Sequence, residues 1–353
     1  MLAEVTPVFT DTDNENLLKL PDKDEVKDIL FNSNLNAAPG SDGITSFLYK
    51  EHWDLVGDYL LEVVTEKATQ TQRICLTVFG TKLKKESSIK AKDKRRISLL
   101  KSDFKLSTGL EASRFKRTFT HTLSHTQMMA GEDRRISHMI NKARDSIFSV
   151  SKSKAGCALL DLDFIAAFDY QVFSWVFKVL QAKGVPEAVI SRISNLYEDS
   201  LTIPVVNNVL GKPLQNKRKN LRQGCPGSMG WFGLAIDPLL IYLDRRLIGI
   251  PICSIPTPGP CQENGSAPEA VTERYTVRGY ADDVKPSVST MAEFELVDRA
   301  ASLFEKSSGC KLHRDPATGK CKVLPLGRWQ QTLQQEDIRF PYIKLSDSLS
   351  IKA

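Results

Sequence analysis

The sequence has no run of 18 apolar residues, so nothing in it reads as a membrane-spanning helix. Its start, Met1-Leu2-Ala3-Glu4, leads into an acidic stretch and lacks the basic, apolar and small regions of a secretory signal. Histidine is scarce, with 5 residues, and the 7 cysteines (Cys75, Cys157, Cys225, Cys253, Cys261, Cys310, Cys321) are scattered. They form no Cys-x-x-Cys pair and no zinc-finger spacing, which argues against a zinc module or a disulfide framework and for reduced thiols. No internal repeat is present. Charge of neither sign dominates: a formal +6 and a pI near 8.8 are compatible with a polyanionic partner without requiring one. With 41% hydrophobic and 25% charged residues in 353, the composition is that of a folded globular chain. Together these features predict a soluble, intracellular protein, nuclear or cytoplasmic, neither secreted nor membrane-bound.

Residues 1–20 show no clear apolar period and are read as a loose leader. The first packed helix is expected after Pro21-Asp22, where Val26, Ile29 and Leu30 recur at helical spacing. A second is expected over residues 45–68, with Phe47, Leu48, Leu55, Val56, Tyr59, Leu60, Val63 and Val64 on one face. Residues 73–79 are β-prone. From Lys82 to Lys101, nine lysines or arginines stand against Glu86 and Asp93, a solvated loop or a phosphate-contacting surface. Helices are expected at 170–182, at 187–198 and from after Pro226 to about Arg246, with a hairpin around Asn207-Asn208. Five prolines in residues 251–270 mark a surface insertion. Strands follow at 275–280 and 284–288, then a helix at 291–307 and a short strand at Val323 to Leu326.

Two acidic centres could carry chemistry. Ala158 to Asp163 is an apolar run ending in carboxylates, which suits a buried strand that delivers acids at its edge. Asp282-Asp283 lies at a turn between β-prone segments. A carboxylate cluster is what a pair of Mg²⁺ ions about 3.5–4 Å apart requires, because hard cations take oxygen ligands. His121 and His125, four apart, have neither the glutamate nor the third ligand of a metal site and are read as structural.

The tetrapeptide Tyr280-Ala281-Asp282-Asp283 resembles the catalytic hairpin of reverse transcriptases, and the motifs around it occur in the order of the non-LTR (LINE-type) retrotransposon enzymes. Ala38-Pro39-Gly40-Ser41-Asp42-Gly43-Ile44 with Phe47-Leu48-Tyr49-Lys50 is similar to their N-terminal extension motif. Arg96-Ile97-Ser98-Leu99-Leu100 with Asp103-Phe104-Lys105 resembles the fingers motif, and Leu160 to Asp169 the first palm motif. Leu221-Arg222-Gln223-Gly224-Cys225-Pro226 resembles the template-and-nucleotide motif, and Ser308-Gly309-Cys310-Lys311-Leu312 leads into the lysine-bearing one. The fingers motif departs from the family in reading Arg95-Arg96 where Arg-Pro is usual before Ile-Ser-Leu-Leu, and Gly227 to Gly230 replaces a Leu-Ser-Pro-like stretch.

The resemblance implies an α+β right-hand polymerase fold with palm and fingers over residues 21–326, and a thumb largely absent because only a short tail, 327–353, follows. It implies RNA-directed DNA polymerase activity with two Mg²⁺ ions, or Mn²⁺, held by Asp163, Asp282 and Asp283. Asp161 is then an extra carboxylate with a structural role. Lys320 is the implied general acid, with Lys322 and Lys311 as fallbacks. Phe168 would stack under the incoming sugar and exclude a 2′-hydroxyl. Arg222, Gln223 and Gly224 would approach the base pair, and Arg95 or Arg96 would grip the triphosphate. The implied partners are an RNA template, a DNA primer and deoxynucleoside triphosphates; the sequence leaves the oligomeric state open. The alternative is a truncated, inactive remnant that binds RNA or an RNA–DNA duplex.

Overall fold

Capping starts the first helices of the fold, which is known here from a computed structural model that describes residues 1–66, 74–83, 94–129, 134–151, 156–197, 201–215, 221–253, 272–317 and 320–348. Helix α1 (Asp11–Leu18) opens on a box in which the Thr10 hydroxyl accepts from the Asp13 amide and the Asp13 carboxylate from the Thr10 amide. Asp22 caps α2 (Lys23–Phe31) by accepting from the Glu25 amide. The first twenty residues, expected to be loose, are thus packed: Val5, Phe9 and Leu17 are buried, and the Asn14 side-chain amide donates to the Gly184 carbonyl at 3.0 Å. These three are too far apart in sequence to give a period, yet each is buried, while Leu18 and Leu20 stay exposed.

The single helix expected over 45–68 is two, α3 (Ser46–Glu51) and α4 (Trp53–Glu66), broken at His52. Strands β1 (Ile74–Leu83) and β2 (Lys94–Leu99) follow, then the long α5 (Ser102–Thr122). Trp53, Leu60 and Val64 of α4 pack on Val26 and Leu30 of α2 and on Leu106 and Leu110 of α5. Leu55 and Tyr59, expected inside, are exposed. Of the basic run, Lys84, Lys85, Lys90 and Lys92 lie outside the described residues.

After α6 (Ile136–Ser151), the apolar run forms β3 (Gly156–Asp161), followed by β4 (Phe164–Ile165), α7 (Ala167–Tyr170), α8 (Phe173–Ala182) and α9 (Glu187–Tyr197). Strands β5 (Leu201–Val206) and β6 (Val209–Leu210) make the expected hairpin; Asn207 and Asn208 both have positive φ, 50° and 63°, as a tight two-residue turn demands. Strand β7 (Leu214–Gln215) returns to β5. Helix α10 (Ser228–Asp244) starts directly after Gly227 despite its neighbouring glycines, and Trp231, Leu234, Ile236, Leu239, Leu240 and Leu243 are all buried. It is apolar on every side because it is a core helix.

Strand β8 (Ile250–Cys253) occupies the start of the proline-rich segment, whose residues 254–271 lie outside the described residues. It pairs with β9 (Thr272–Tyr275). Then come β10 (Val277–Tyr280), β11 (Asp283–Val288), α11 (Met291–Ser308), β12 (Lys311–Leu312), β13 (Cys321–Gly327), α12 (Trp329–Thr332) and β14 (Ile343–Leu345). The chain is therefore a mixed α and β fold. One sheet has the order β10-β11-β3-β13-β14; a second has β2-β1-β5-β6, with β7 on β5. The outer edge of β10 is covered by Thr126 to Met128, which exchange backbone hydrogen bonds with Gly279.

The two faces of β3 differ. Ala158, Leu160 and Leu162 join the main core with residues of α8, α10 and α11, whereas Cys157 and Leu159 join a smaller cluster with Ala143, Val150, Ile250 and Tyr275. By the two-residue alternation of a strand, Asp161 and Asp163 continue the second face. Beneath the main core, Lys183 at the end of α8 donates to Asp237 of α10 at 2.7 Å and to the Thr122 carbonyl at 2.6 Å, both side chains being buried. Burial raises the Asp237 carboxyl above its usual range, against the pull of Lys183 and of the Ser124 amide.

This buried pair joins the ends of α5, α8 and the middle of α10. Lys183→Met alone should cost about 3–5 kcal/mol, because it leaves a buried carboxylate uncompensated, while Lys183→Met with Asp237→Leu should recover most of that loss. Urea unfolding of the two variants decides it: a single variant as stable as the parent would show that the pair does not hold these helices together.

Candidate active site

The site begins with strand register. Leu162 bridges Val284, its amide donating to the Val284 carbonyl at 3.0 Å, in the same antiparallel register that pairs Leu159 with Ser287. One residue further on, that register sets Asp163 opposite Asp283. On the other side of β3, Asp161 pairs with Lys322 of β13, so Lys320 falls opposite Asp163. Asp283 in turn pairs with Tyr280 across a two-residue turn made of Ala281 and Asp282. Ala281 has φ 52°, a left-handed conformation unusual for a residue with a Cβ. Residues distant in sequence are thereby gathered at one end of one sheet: Lys320, Asp163, Asp283 and Tyr280 in a row, with Asp282 at the turn.

Asp283 is buried, and Asp163 and Asp282 are half-buried. The chain's own basic side chains attend them. His313 Nε2 lies 3.3 Å from Asp163 Oδ2, Lys320 Nζ lies 3.8 Å from the same oxygen, and Lys320 Nζ is 2.9 Å from His313 Nε2. His313 reaches this place because β12 pairs with β4, Leu312 opposite Phe164, and the His313 amide then donates to the Asp163 carbonyl at 2.9 Å. One row deeper, Lys285 donates to Asp161 at 2.7 Å and stands 3.9 Å from Asp283 Oδ1. The sequence alone does not point to His313 or Lys285. No local signal marks either, since strand pairing alone brings them to the carboxylates.

The remaining sequence-predicted residues divide into two groups. Phe168 is half-buried, its ring stacked on Phe232 at 4.7 Å, and its carbonyl accepts from the Leu221 amide at 2.8 Å, which ties α7 to the segment Leu221 to Pro226. Arg96 donates to Asp169 at 2.7 Å, immediately beside Phe168, and Arg95 lies on β2 opposite Gly80. Gln223 and Gly224 lie against β2: the Ser98 amide donates to the Gln223 carbonyl at 2.9 Å. Gly224 has φ 102°, and a Cβ there would lie 2.9 Å from the Ser98 carbonyl oxygen, so only glycine fits without displacement.

Arg222 differs from its expected role. Its guanidinium is buried between the rings of Phe104 and Tyr197, at 5.2 and 5.7 Å from their centroids. It therefore supports the loop from inside, as cation–π packing between α5 and α9, where an outward, substrate-facing arginine was anticipated. His121 and His125, read as structural, contact separate carboxylates, His121 that of Asp13 at 2.9 Å and His125 that of Asp244 at 3.6 Å.

As donors, three carboxylates at a strand end and a turn suit a hard divalent cation. Among the described residues, no three histidine, cysteine or acidic side chains are drawn together closely enough to hold an ion as they stand. The carboxylate of Asp163 is engaged by His313 and Lys320, and Asp283 has Lys285 beside it. The donor chemistry fits, and cation binding would exchange these internal ammonium and imidazole contacts for the ion.

Two buried thiols flank the site and belong to its packing. Burial pushes the Cys310 thiol up to about 12 and the Cys321 thiol up to about 11. Both should remain protonated at pH 8 and resist iodoacetamide in the folded chain, becoming reactive in urea. Peptide mass spectrometry after timed alkylation measures this; modification of either residue in the folded chain at the rate of a free thiol would contradict the burial described.

No family model matches the chain. It is 25% identical over 316 residues, 89% of its own length, to the transposon TX1 uncharacterized 149 kDa protein of Xenopus laevis. The chain spans 23% of that protein's length, so the similarity is to one segment of a much larger, transposon-encoded polypeptide.

Proposed function

We propose that the chain is the palm and fingers of an RNA-directed DNA polymerase of a non-LTR retrotransposon. One observation carries this reading: the register of β3 and β11 sets Asp163 opposite Asp283, with Asp282 in the adjoining turn. The similarity to a transposon-encoded protein supports a mobile-element origin.

In this reading Asp163, Asp282 and Asp283 hold two Mg²⁺ ions. Bound divalent cations supply Lewis acidity, favouring ionisation of a primer 3′-hydroxyl and balancing charge on the departing pyrophosphate. The chain's own residues do the rest. Phe168, fixed by its stacking on Phe232, forms the floor under the sugar of the incoming nucleotide and leaves no room for a 2′-hydroxyl. Gly224 lets the backbone come close to the templating base pair, and Gln223 supplies hydrogen-bonding groups beside it. Arg96, held by Asp169 next to Phe168, would grip the triphosphate. Lys320, within reach of Asp163 and His313, is the group that gives a proton to pyrophosphate. Arg222 holds the loop without touching substrate.

A second reading, a remnant that binds RNA or RNA–DNA duplex without synthesis, is favoured by the engagement of Asp163 with His313 and Lys320. Primer extension on poly(rA)/oligo(dT) separates the two. The polymerase reading expects Mg²⁺-dependent synthesis that falls by on the order of a thousandfold or more in Asp282→Asn. Duplex binding that ignores Mg²⁺, together with no Asp282-dependent extension, would establish the remnant instead. Where synthesis is present, Phe168→Ala should reduce the preference for deoxynucleotides over ribonucleotides by about tenfold or more; an unchanged preference would remove Phe168 from sugar selection.

A further inference from the structure

One row beneath the carboxylates of the candidate site, the sheet carries a line of basic residues on the same face. Cys321 and Val323 of β13 and Ile343 of β14 lie in the main core, with Leu345 packed against it, so Lys322 and Lys344 point to the opposite face, the one that bears Asp161 and Asp163. Across the strands, Arg278 pairs with Lys285, Lys285 faces Asp161, Asp161 pairs with Lys322, and Lys322 with Lys344. The carboxylate in that line turns to Lys285 at 2.7 Å, and Arg278 meets Glu273 at 3.2 Å. Lys322 and Lys344, both half-buried, form no ion pair among the described residues. Two uncompensated ammonium groups thus stand on neighbouring strands beside the acidic site.

We propose that Lys322 and Lys344 bind phosphates of the nucleic-acid strand whose 3′-end lies at Asp163 and Asp283. The proposal rests on the polymerase reading of those carboxylates and deepens it. Strand geometry sets the scale. Asp163 lies two residues beyond Asp161, the partner of Lys322, so the backbone of Lys322 is about 9 Å and that of Lys344 about 12 Å from the backbone of Asp163. A strand advances about 3.4 Å along its axis per nucleotide, which brings about four terminal phosphates of a strand ending at the carboxylates into range of the two lysines. Lysine suits this task, since a compact ammonium on a flexible stem follows a backbone without reading bases. Lys322 then serves the strand, and proton transfer stays with Lys320.

Binding of a labelled oligo(dT) primer on an oligo(rA) template to the full chain, followed by fluorescence anisotropy in EDTA, tests this without synthesis. Lys322→Gln and Lys344→Gln should each flatten the dependence of log Kd on log [KCl] by about one unit, and the double variant by about two. Lys322→Arg with Lys344→Arg should keep the parent slope. Primers carrying a single uncharged methylphosphonate at successive terminal linkages then locate the contact. At least one such linkage should weaken binding to the parent about threefold and cost the double Gln variant nothing further. Slopes unchanged in both Gln variants would overturn the proposal. So would methylphosphonate penalties as large in the double variant as in the parent, because the lysines would then act on the duplex only from a distance. Thermal unfolding reports the folding of each variant; if Lys322→Gln does not fold, Lys344→Gln, on the edge strand β14, decides with the same primers. Failure of the polymerase reading is seen separately, as absence of Asp282-dependent extension by a chain whose duplex binding still depends on the two lysines.

Discussion

Strand β3 is hydrogen-bonded on both sides, to β11 and to β13, and the candidate site depends on that double register. Side chains alternate along each strand, so the register decides which groups face one another across three strands. A slip of one residue would turn Leu162 to the side now held by Asp161 and Asp163 and would carry the carboxylates into the main core. The apolar residues Ala158, Leu160 and Leu162 resist such a slip, because the same movement would strip them from the helices α8, α10 and α11. Hydrophobic burial on one face thus sets the electrostatics on the other.

Those electrostatics consist of carboxylates paired with basic side chains at graded depth. The outer row places His313 and Lys320 at Asp163, in partial contact with solvent. The inner row, Lys285 with Asp161, is enclosed, and beside it Arg278 and Lys142 share Glu273. In the interior an ion pair stabilises little against an apolar replacement, but losing one partner is expensive. Such a layer is therefore rigid in composition: each member constrains its neighbour. Around Phe168 and Gly224 the devices are different and mostly steric, with the Phe168–Phe232 stack and the close approach of Gly224 to Ser98 fixing α7, α10 and β2 against one another.

Much of the fold was legible locally. The β5–β6 hairpin follows from Asn207-Asn208, α11 begins at the Thr290–Glu293 box and ends at Gly309 with φ 78°, and the boundaries of α8 and α9 follow from Gly184 and Pro186. The two carboxylate centres were visible too, one at the end of an apolar run and the other at a turn. Where local reading went astray, neighbours distant in sequence were responsible. The first twenty residues are ordered by pockets formed by other segments, Leu55 and Tyr59 face outward because α4 buries a narrower stripe than its period offers, and Arg222 turns inward because Phe104 and Tyr197 enclose it.

By itself, the sequence determined the chemical inventory and the order in which it is delivered: an acidic strand end, an acidic turn with Tyr280 and Ala281, an aromatic five residues after Asp163, and a glycine where a Cβ has no room. Those properties reside in residue type and short-range backbone preference. Only the tertiary structure decided that Asp163 meets Asp283, that His313 and Lys320 converge on Asp163, and that Asp161 holds Lys285. Strand pairing joins residues far apart in the chain, and which partners meet depends on how the whole core buries its apolar faces, a property that no single segment carries.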